Sequence, residues 1–305
     1  MNVHDWALVT FTLLSQMSIG SFVVLGIIHT YAIRKAGMQE ADRLSDRALL
    51  AIIPLMVLGL GASLTHLGSP LVAYKAVNNL GSSWLSREIL SGLLFAGFGF
   101  VFVILQWRKI FSFAVRNIIA WIAALIGLGM IFVMSHIYMQ PTVPAWDSFM
   151  TMAYFYTTTL LLGSLAMGTA FVINYAYIKR KYPESEATQS SLLLTSMRGI
   201  AIAAILLLGV EFIMIPLYLA YMGSNAASAI VAAFYIKANG VVFGFRLALI
   251  FIGAGILALF LYRNAISPQR ERLMAGLTYS AFTLVLASEI LGRFLFYASY
   301  FRIGT

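Results

Sequence analysis

The chain opens with the apolar run WALVTFTLLSQMSIGSFVVLGIIHTYAI, residues 6–33, which ends at Arg34-Lys35. The run contains no Asp, Glu, Lys or Arg. About 20 apolar residues are enough for a helix to cross the hydrocarbon core of a bilayer, so this run predicts a transmembrane helix. It is too long for the core of a signal peptide and no basic segment precedes it. We therefore expect it to be retained as a first span.

The rest of the chain repeats this pattern. Of its 305 residues, 61% are hydrophobic and only 10% are charged, and the mean hydropathy is +0.90. A soluble domain is about one quarter charged, so the composition excludes an ordinary soluble protein. We predict an all-α integral membrane protein, a bundle of eight transmembrane helices that forms a single domain over residues 1–305. The predicted helices are Trp6–Ile33, Ala48–Leu67, Glu88–Gln106, Ile118–Tyr138, Phe149–Ile178, Gly199–Met222, Phe245–Tyr262 and Leu273–Ser299.

Lys and Arg are distributed unevenly among the connections between these helices. Fourteen of the 20 lie in or beside the connections that follow the first, third, fifth and seventh helices. Cytoplasmic connections carry an excess of Lys and Arg, so we expect these four to face the cytoplasm and both termini to lie on the outer, periplasmic side. The net charge of +9 therefore indicates topology and not a nucleic-acid-binding surface. The fourteen residues are Arg34, Lys35, Arg43, Arg47, Arg108, Lys109, Arg116, Lys179, Arg180, Lys181, Arg198, Arg263, Arg270 and Arg272.

The numbers of Cys and His limit the cofactors that the protein can bind. It has no Cys and four His residues. Without thiolates it lacks the usual ligands of an iron–sulfur cluster, and a multi-haem cytochrome is hard to build from four histidines. We expect no haem, iron–sulfur cluster, molybdopterin or metal site in this chain.

Ionisable residues within the predicted spans are costly in a membrane and usually mark a pathway for protons, ions or substrate. The predicted orientation puts most of them in the outer half of the bundle. They are His66, Glu88, His136, Arg246, Glu289 and Arg293.

We expect different roles for these residues. Glu289 and Arg293 are four residues apart on one helical face, and we predict that they form a structural ion pair. Arg246 and His136 are expected to be interfacial anchors and not ligands. Glu211 lies nearer mid-membrane, shortly before a proline that favours a kink. Two roles stay open for it: a protonated hydrogen-bond donor between helices, or a member of a proton relay.

The motif His66-Leu67-Gly68-Ser69-Pro70 closes one predicted helix, and Arg87-Glu88 opens the next. For His66 and Glu88 we expect a functional role and not only a role in helix packing. A neutral imidazole accepts a hydrogen bond and takes up a proton near neutral pH, and a carboxylate can receive that proton. These groups are suited to the deprotonation of a quinol headgroup, whose isoprenoid tail needs an apolar groove between helices. The same pair would also fit proton-coupled transport.

Several short motifs resemble, in order and spacing, those of the membrane anchor subunit family of dimethyl sulfoxide reductase. The matching residues are Trp6-x-Leu8, Phe11-Thr12, Gln16, Gly20, Phe22-Val23-x-Leu25, His66-Leu67-Gly68-Ser69-Pro70, Ser86-x-Glu88-Ile89-x-Ser91-Gly92 and Glu289-Ile290-x-Gly292-Arg293-x-x-Phe296-Tyr297. One position departs from the family pattern, because Arg87 stands where an uncharged polar residue is expected. A cation beside Glu88 favours the ionised carboxylate, and we expect that it could hold Glu88 in a salt bridge.

The resemblance implies a subunit that binds menaquinol and anchors two partners in a heterotrimer, a four-cluster iron–sulfur subunit and a molybdopterin catalytic subunit. It implies anaerobic respiration at the bacterial cytoplasmic (inner) membrane, with electrons passing from menaquinol near the outer face to the iron–sulfur subunit. The family's catalytic histidine and glutamate map onto His66 and Glu88. The wider set of candidate menaquinol-binding residues is His66, Gly68, Ser69, Pro70, Arg87, Glu88, Glu289 and Arg293.

Four other functions stay open at this point. The same anchor could run in reverse as a quinone reductase, or the protein could be a haem-b electron carrier with His66 and His136 as ligands. It could also be a bare structural anchor or a proton-coupled transporter, although we find no inverted repeat of the kind that transporters often show. For an anchor, the longer outer connections Gly68–Ser86 and Gly223–Gly244 are the expected docking surface for the partner subunits.

Overall fold

The computed structural model describes residues 3–66, 78–224, 226–266 and 271–303. These described residues are helical apart from short connections and a 3-10 turn at Pro183–Ser185, and they contain no β-strand. The helices are α1 (Val3–Ala36), α2 (Met38–Leu50), α3 (Ile52–His66), α4 (Trp84–Arg108), α5 (Phe113–Tyr138), α6 (Phe149–Lys181), α7 (Glu186–Gly223), α8 (Ala226–Ile266) and α9 (Glu271–Ala298).

Eight segments of the described residues are long and apolar enough to cross a membrane. Their number and order confirm the predicted eight-helix bundle. The second of them begins at Met38 and not at Ala48, because α2 and α3 follow one another with only Ala51 between them. Together, α2 and α3 form one span.

Some helices begin earlier in the structure than the apolar runs do. In α2, Ala41 and Leu44 are buried while its charged residues remain partly exposed, and α7 buries Leu192 and Leu193 upstream of its predicted start at Gly199. A one-sided apolar stripe of this kind is enough to hold a helix against its neighbours. Because such a stripe raises the local hydropathy of the sequence only slightly, the helices predicted from apolar runs begin later.

The two ends of the polypeptide lie at the same end of the bundle. Near the start of α1, the Trp6 ring contacts the Phe294 ring near the end of α9, with 6.0 Å between the ring centroids. We call this end of the bundle the terminal end. The other end, here called the basic end, contains the connections Gly37, Lys109–Ser112 and Tyr182–Ser185.

Polar contacts at the basic end attach α2 to its neighbours. The Lys109 ammonium at the end of α4 lies 2.8 Å from a carboxylate oxygen of both Asp42 and Asp46. The Gln106 side-chain amide donates to the same two carboxylates at 2.9 and 2.8 Å. These contacts tie the amphipathic α2 to α4 and explain why the second span extends beyond its apolar part.

Helices α1 and α6 form the centre of the bundle and approach each other most closely at Gly20 and Gly163. A Cβ atom on Gly20 would lie 1.8 Å from the carbonyl oxygen of Thr159, and one on Gly163 would lie 2.2 Å from the carbonyl carbon of Gly20. Between membrane helices, where lipid is as apolar as the protein, small residues allow the close backbone packing that drives association. Glycine is therefore required at both positions.

This contact predicts the effect of a single added methyl group. We expect Gly20→Ala to push α1 away from α6, since the obstructing atom belongs to the backbone and cannot rotate aside. Thermal unfolding of the purified protein in detergent should shift down by several degrees. Gly26→Ala is the matched control on the same helix, because nothing lies within 4 Å of a Cβ built there. Equal midpoints for the two variants would contradict the close α1–α6 contact.

Candidate functional site

His66 is the last residue of α3, which ends at the terminal end of the bundle. Its side chain lies outside the part of the protein that the structure describes, as do the predicted site residues Gly68, Ser69 and Pro70. The backbone of α3 nevertheless brings position 66 to the same end of the bundle as the start of α4, and Glu88 lies just after the first turn of α4.

The Glu88 side chain is buried in the bundle. Ser83 caps α4 by accepting a hydrogen bond from the Ser86 backbone N–H at 3.3 Å, and Glu88 follows just after the first turn. Glu88 is 6% exposed, and its Oε1 has no hydrogen-bond donor among the described residues. A buried polar atom without a protein partner is costly, and such atoms in native proteins often face a ligand or ordered water.

Arg87 does not pair with Glu88. Its guanidinium donates to the backbone carbonyls of Leu80 and Gly81, at 2.8 Å each, and lies 4.3 Å from the centroid of the Trp84 ring. Consecutive residues on a helix point in directions about 100° apart and do not face each other. The expected salt bridge is therefore wrong, and Arg87 instead holds the loop before α4.

Tyr138 and Tyr297 form a buried pair near the terminal end of the bundle. Their hydroxyls are 2.8 Å apart and both side chains are buried, one at the end of α5 and the other near the end of α9. Glu88 and Arg293 both interact electrostatically with this pair. Neither tyrosine is among the predicted site residues, although Tyr297 ends one of the matching motifs, because a Tyr near a helix end is more often an interfacial residue.

Glu289 and Arg293 do not form the predicted ion pair. Each is fully buried and contacts a different neighbouring helix. Arg293 donates to the Gln16 side-chain oxygen of α1 at 2.7 Å, and Thr158 of α6 donates to the Glu289 carboxylate at 2.6 Å. The guanidinium of Arg293 also lies 4.0 Å from the centroid of the Phe155 ring. Because both residues face the crowded centre of the bundle, contacts with α1 and α6 replace the contact along their own helix.

Arg246 is a buried partner of Glu211, and the expectation of an interfacial anchor is wrong. Arg246 is 4% exposed and Glu211 is 1% exposed. The Arg246 guanidinium forms a salt bridge with Glu211 and donates a hydrogen bond to the Tyr154 hydroxyl. A buried cation in a membrane bundle is retained when an anion of a neighbouring helix neutralises it. This contact joins α7 and α8 to α6.

A cavity of about 50 Å³ lies beside this pair and is lined by Tyr154, Glu211, Arg246 and Gly292. A Cβ atom on Gly292 would lie 2.3 Å from the Tyr154 hydroxyl and 2.7 Å from Arg246 Nε. Glycine at this position therefore leaves room for the tyrosine and the arginine. The cavity is large enough for ordered water.

We call these buried side chains together the polar row. Direct contacts join Tyr138 to Tyr297 and Arg246 to Glu211. The other relations within the set are electrostatic: Glu88 and Arg293 act on the tyrosine pair, and Glu289 interacts with Glu211 and Arg246. Carboxyl and hydroxyl groups in contact can exchange protons. The members of the polar row are Glu88, Tyr138, Tyr297, Arg293, Glu289, Arg246 and Glu211.

His136 lies apart from the polar row. Its ring contacts the Trp84 and Phe132 rings, with centroid distances of 4.7 and 4.1 Å. Its Nδ1 is 2.8 Å from the Phe132 carbonyl oxygen of its own helix. Within the described residues, no group of three His, Asp or Glu side chains is arranged to hold a metal ion.

Comparison with known proteins identifies relatives over the whole sequence. A family model described as DMSO reductase anchor subunit (DmsC) matches residues 1–299. The protein is 30% identical over 311 residues to the C subunit of anaerobic dimethyl sulfoxide reductase of Escherichia coli (strain K12), covering 99% of this sequence and 96% of that relative. It is 31% identical over 306 residues to the YnfH subunit of anaerobic dimethyl sulfoxide reductase of the same organism, with the same coverage.

A solved structure shares the fold. The structure of bd oxidase from Geobacillus thermodenitrificans aligns with a TM-score of 0.60 over 97% of this protein and 88% of the matched polypeptide, at 11% sequence identity. At this identity the likeness concerns the arrangement of the helices alone.

The buried pair predicts a non-additive stability effect. Glu211→Leu or Arg246→Met alone leaves the partner charge buried without its counter-ion, a change that costs about 3–5 kcal/mol. We expect each single variant to lower the thermal midpoint strongly, and the double variant to recover much of the loss. The measurement is thermal unfolding in detergent of the wild type, the two single variants and the double variant, which together form a double-mutant cycle.

A second pair provides the control for this cycle. The Lys179–Glu186 salt bridge, 2.8 Å long, is about 40% exposed on both sides. Exposed ion pairs contribute about 1 kcal/mol or less, so Glu186→Gln should leave the midpoint almost unchanged. Additive losses for Glu211 and Arg246 would show that the two side chains do not depend on each other.

Proposed function

We propose, because the protein belongs to the DMSO reductase anchor subunit family, that it holds a molybdoenzyme complex in the bacterial cytoplasmic membrane and oxidises menaquinol there. The partners are an iron–sulfur subunit that accepts the electrons and a molybdopterin subunit that reduces the terminal acceptor. The names of the relatives favour a sulfoxide as that acceptor.

One observation carries the site assignment. The Glu88 carboxyl is buried at the terminal end of the bundle, and its Oε1 has no donor among the described residues. The hydroxyl of a quinol could donate the hydrogen bond that Glu88 Oε1 does not receive from the described residues. A hydroxyl bound there would be oriented toward Glu88 and could transfer its proton to it.

The oxidation must balance electrons and protons. Conversion of one quinol to the quinone releases two electrons and two protons, and both electrons go to the iron–sulfur partner. We propose that His66 takes up the proton of one hydroxyl and Glu88 that of the other, since the backbone brings both positions to the terminal end. Tyr138 and Tyr297 are hydrogen-bonded to each other and interact electrostatically with Glu88, and we propose that they help to carry the proton away from the site.

The distribution of charge supports an orientation for the complex. The basic end carries the excess of Lys and Arg and would face the cytoplasm, so the terminal end would face the periplasm. Electron transfer needs a short distance, and the iron–sulfur partner would therefore dock at the terminal end. Release of the quinol protons on that side would move little net charge across the membrane.

The role of Glu88 predicts a selective loss of activity. Glu88→Gln keeps the size and burial of the side chain but removes the proton acceptor. We expect menaquinol-driven reduction by the intact complex to fall about 100-fold, the contribution typical of a general base. Reduction driven by an artificial dye, which bypasses the anchor, should not change. Glu184→Gln, at an exposed carboxylate of the basic end, is the control, and equal quinol-driven rates in the two variants would refute the assignment.

The proposed role of His66 also predicts a loss of quinol-driven activity without a loss of dye-driven activity, here by replacing the imidazole with a group that cannot accept a proton. An arginine stays protonated at all physiological pH values and cannot accept a proton. We expect His66→Arg to assemble with its partners in normal amounts and to retain dye-driven activity, while quinol-driven reduction is abolished. Quinol oxidation at the wild-type rate in this variant would remove His66 from the site.

A further inference from the structure

A large cleft at the basic end contains none of the residues assigned to the proposed quinol site. Its volume is about 480 Å³, and it lies among α2, the end of α4 and the end of α6. Four cations line it: Arg43, Arg47, Lys109 and Lys181. Carboxylates of the protein neutralise only some of these positive charges.

Two of the four cations have carboxylate partners. Lys109 lies 2.8 Å from both Asp42 and Asp46. Arg43 contacts Glu40 at 2.9 Å and Glu184 at 3.3 Å. The acidic residues around the cleft are therefore used by these two cations.

Arg47 and Lys181 form no ion pair with a described carboxylate. Both instead contact Tyr177: the Arg47 guanidinium lies 3.4 Å from the centroid of its ring and the Lys181 ammonium 5.7 Å from it. Lys181 is also 5.5 Å from the centroid of the Tyr182 ring. Two cations thus contact the same aromatic side chain in the cleft, and neither pairs with a carboxylate of the described residues.

The cleft also lies where lipid headgroups would be. Lys181 ends one of the eight candidate spans, and Arg108, next to Trp107, ends another. Trp107 lines the cleft and is 66% exposed. Exposed Trp side chains at span ends lie at the level of the headgroups, and Leu50 adds apolar surface to the same cleft.

We infer that this cleft binds an anionic glycerophospholipid, with its phosphodiester held between Arg47 and Lys181. Trp107 and Leu50 contact the glycerol and the upper part of the acyl chains. Basic pockets between transmembrane helices on the cytoplasmic side recognise lipid phosphates in this way. A free inorganic phosphate has the same charge chemistry, but it would make no use of the apolar side of the cleft.

A thermal-shift titration of the purified complex tests this inference. Phosphatidylglycerol added to a neutral detergent should raise the unfolding midpoint, since a ligand that binds the folded state stabilises it, whereas phosphatidylcholine should not. In the double variant Arg47→Gln, Lys181→Gln, we expect at least about tenfold more phosphatidylglycerol to be needed for the same shift. Without lipid, the midpoints of wild type and variant should be similar, which separates loss of binding from loss of folding.

A matched variant separates a built site from general surface charge. Lys35 and Arg180 are exposed cations at the basic end that do not line the cleft. The double variant Lys35→Gln, Arg180→Gln removes the same charge and should keep the wild-type response. An equal loss in both double variants would overturn the inference in favour of non-specific attraction. A full shift with inorganic phosphate alone would overturn it in favour of a phosphate site.

Discussion

The close contact between α1 and α6 determines where the other helices can lie. At Gly20 and Gly163 the two backbones touch, and no side chain separates them. Lipid surrounds the bundle and offers no hydrophobic gain for helix association, so packing of small residues and polar contacts between helices must hold it together. One turn from the contact, Gln16 of α1 and Thr158 of α6 meet Arg293 and Glu289 of α9. The central pair thus supplies both the packing and the polar partners for the last helix.

The polar row follows from the cost of charge inside a membrane. Each buried ion needs a counter-charge, a hydrogen bond or an aromatic face nearby. Arg246 has Glu211 and Tyr154, and Arg293 has Gln16 and the face of Phe155. Both arginines also have a guanidinium nitrogen without a hydrogen-bond partner among the described residues, but Glu88 differs from them because its carboxylate has no hydrogen bond or salt bridge to any described residue. This difference is the physical reason for proposing a chemical role for Glu88 and a structural one for the arginines.

Charged side chains are distributed differently at the two ends of the bundle. Toward the terminal end the charged side chains of the polar row are buried within the bundle. The basic end keeps its charges near the surface, where salt bridges fasten α2 to α4 and leave Arg47 and Lys181 beside an open cleft. A subunit that exchanges electrons with a partner at one end and rests among lipid headgroups at the other would need this division.

The sequence by itself determined the eight helices and their order, and it singled out Glu88, because long apolar runs and scarce charges leave few alternatives in a membrane. It located Glu289, Arg293, Arg246 and Glu211 but paired them wrongly or left their partners open. Spacing along one helix favoured a Glu289–Arg293 pair, whereas the partners lie on other helices. Tyr138 and Tyr297 are 159 residues apart, and no local pattern joins them. Only the tertiary structure decided these contacts, since the approach of α1 to α6 and the packing of α9 against both fix which buried groups face each other.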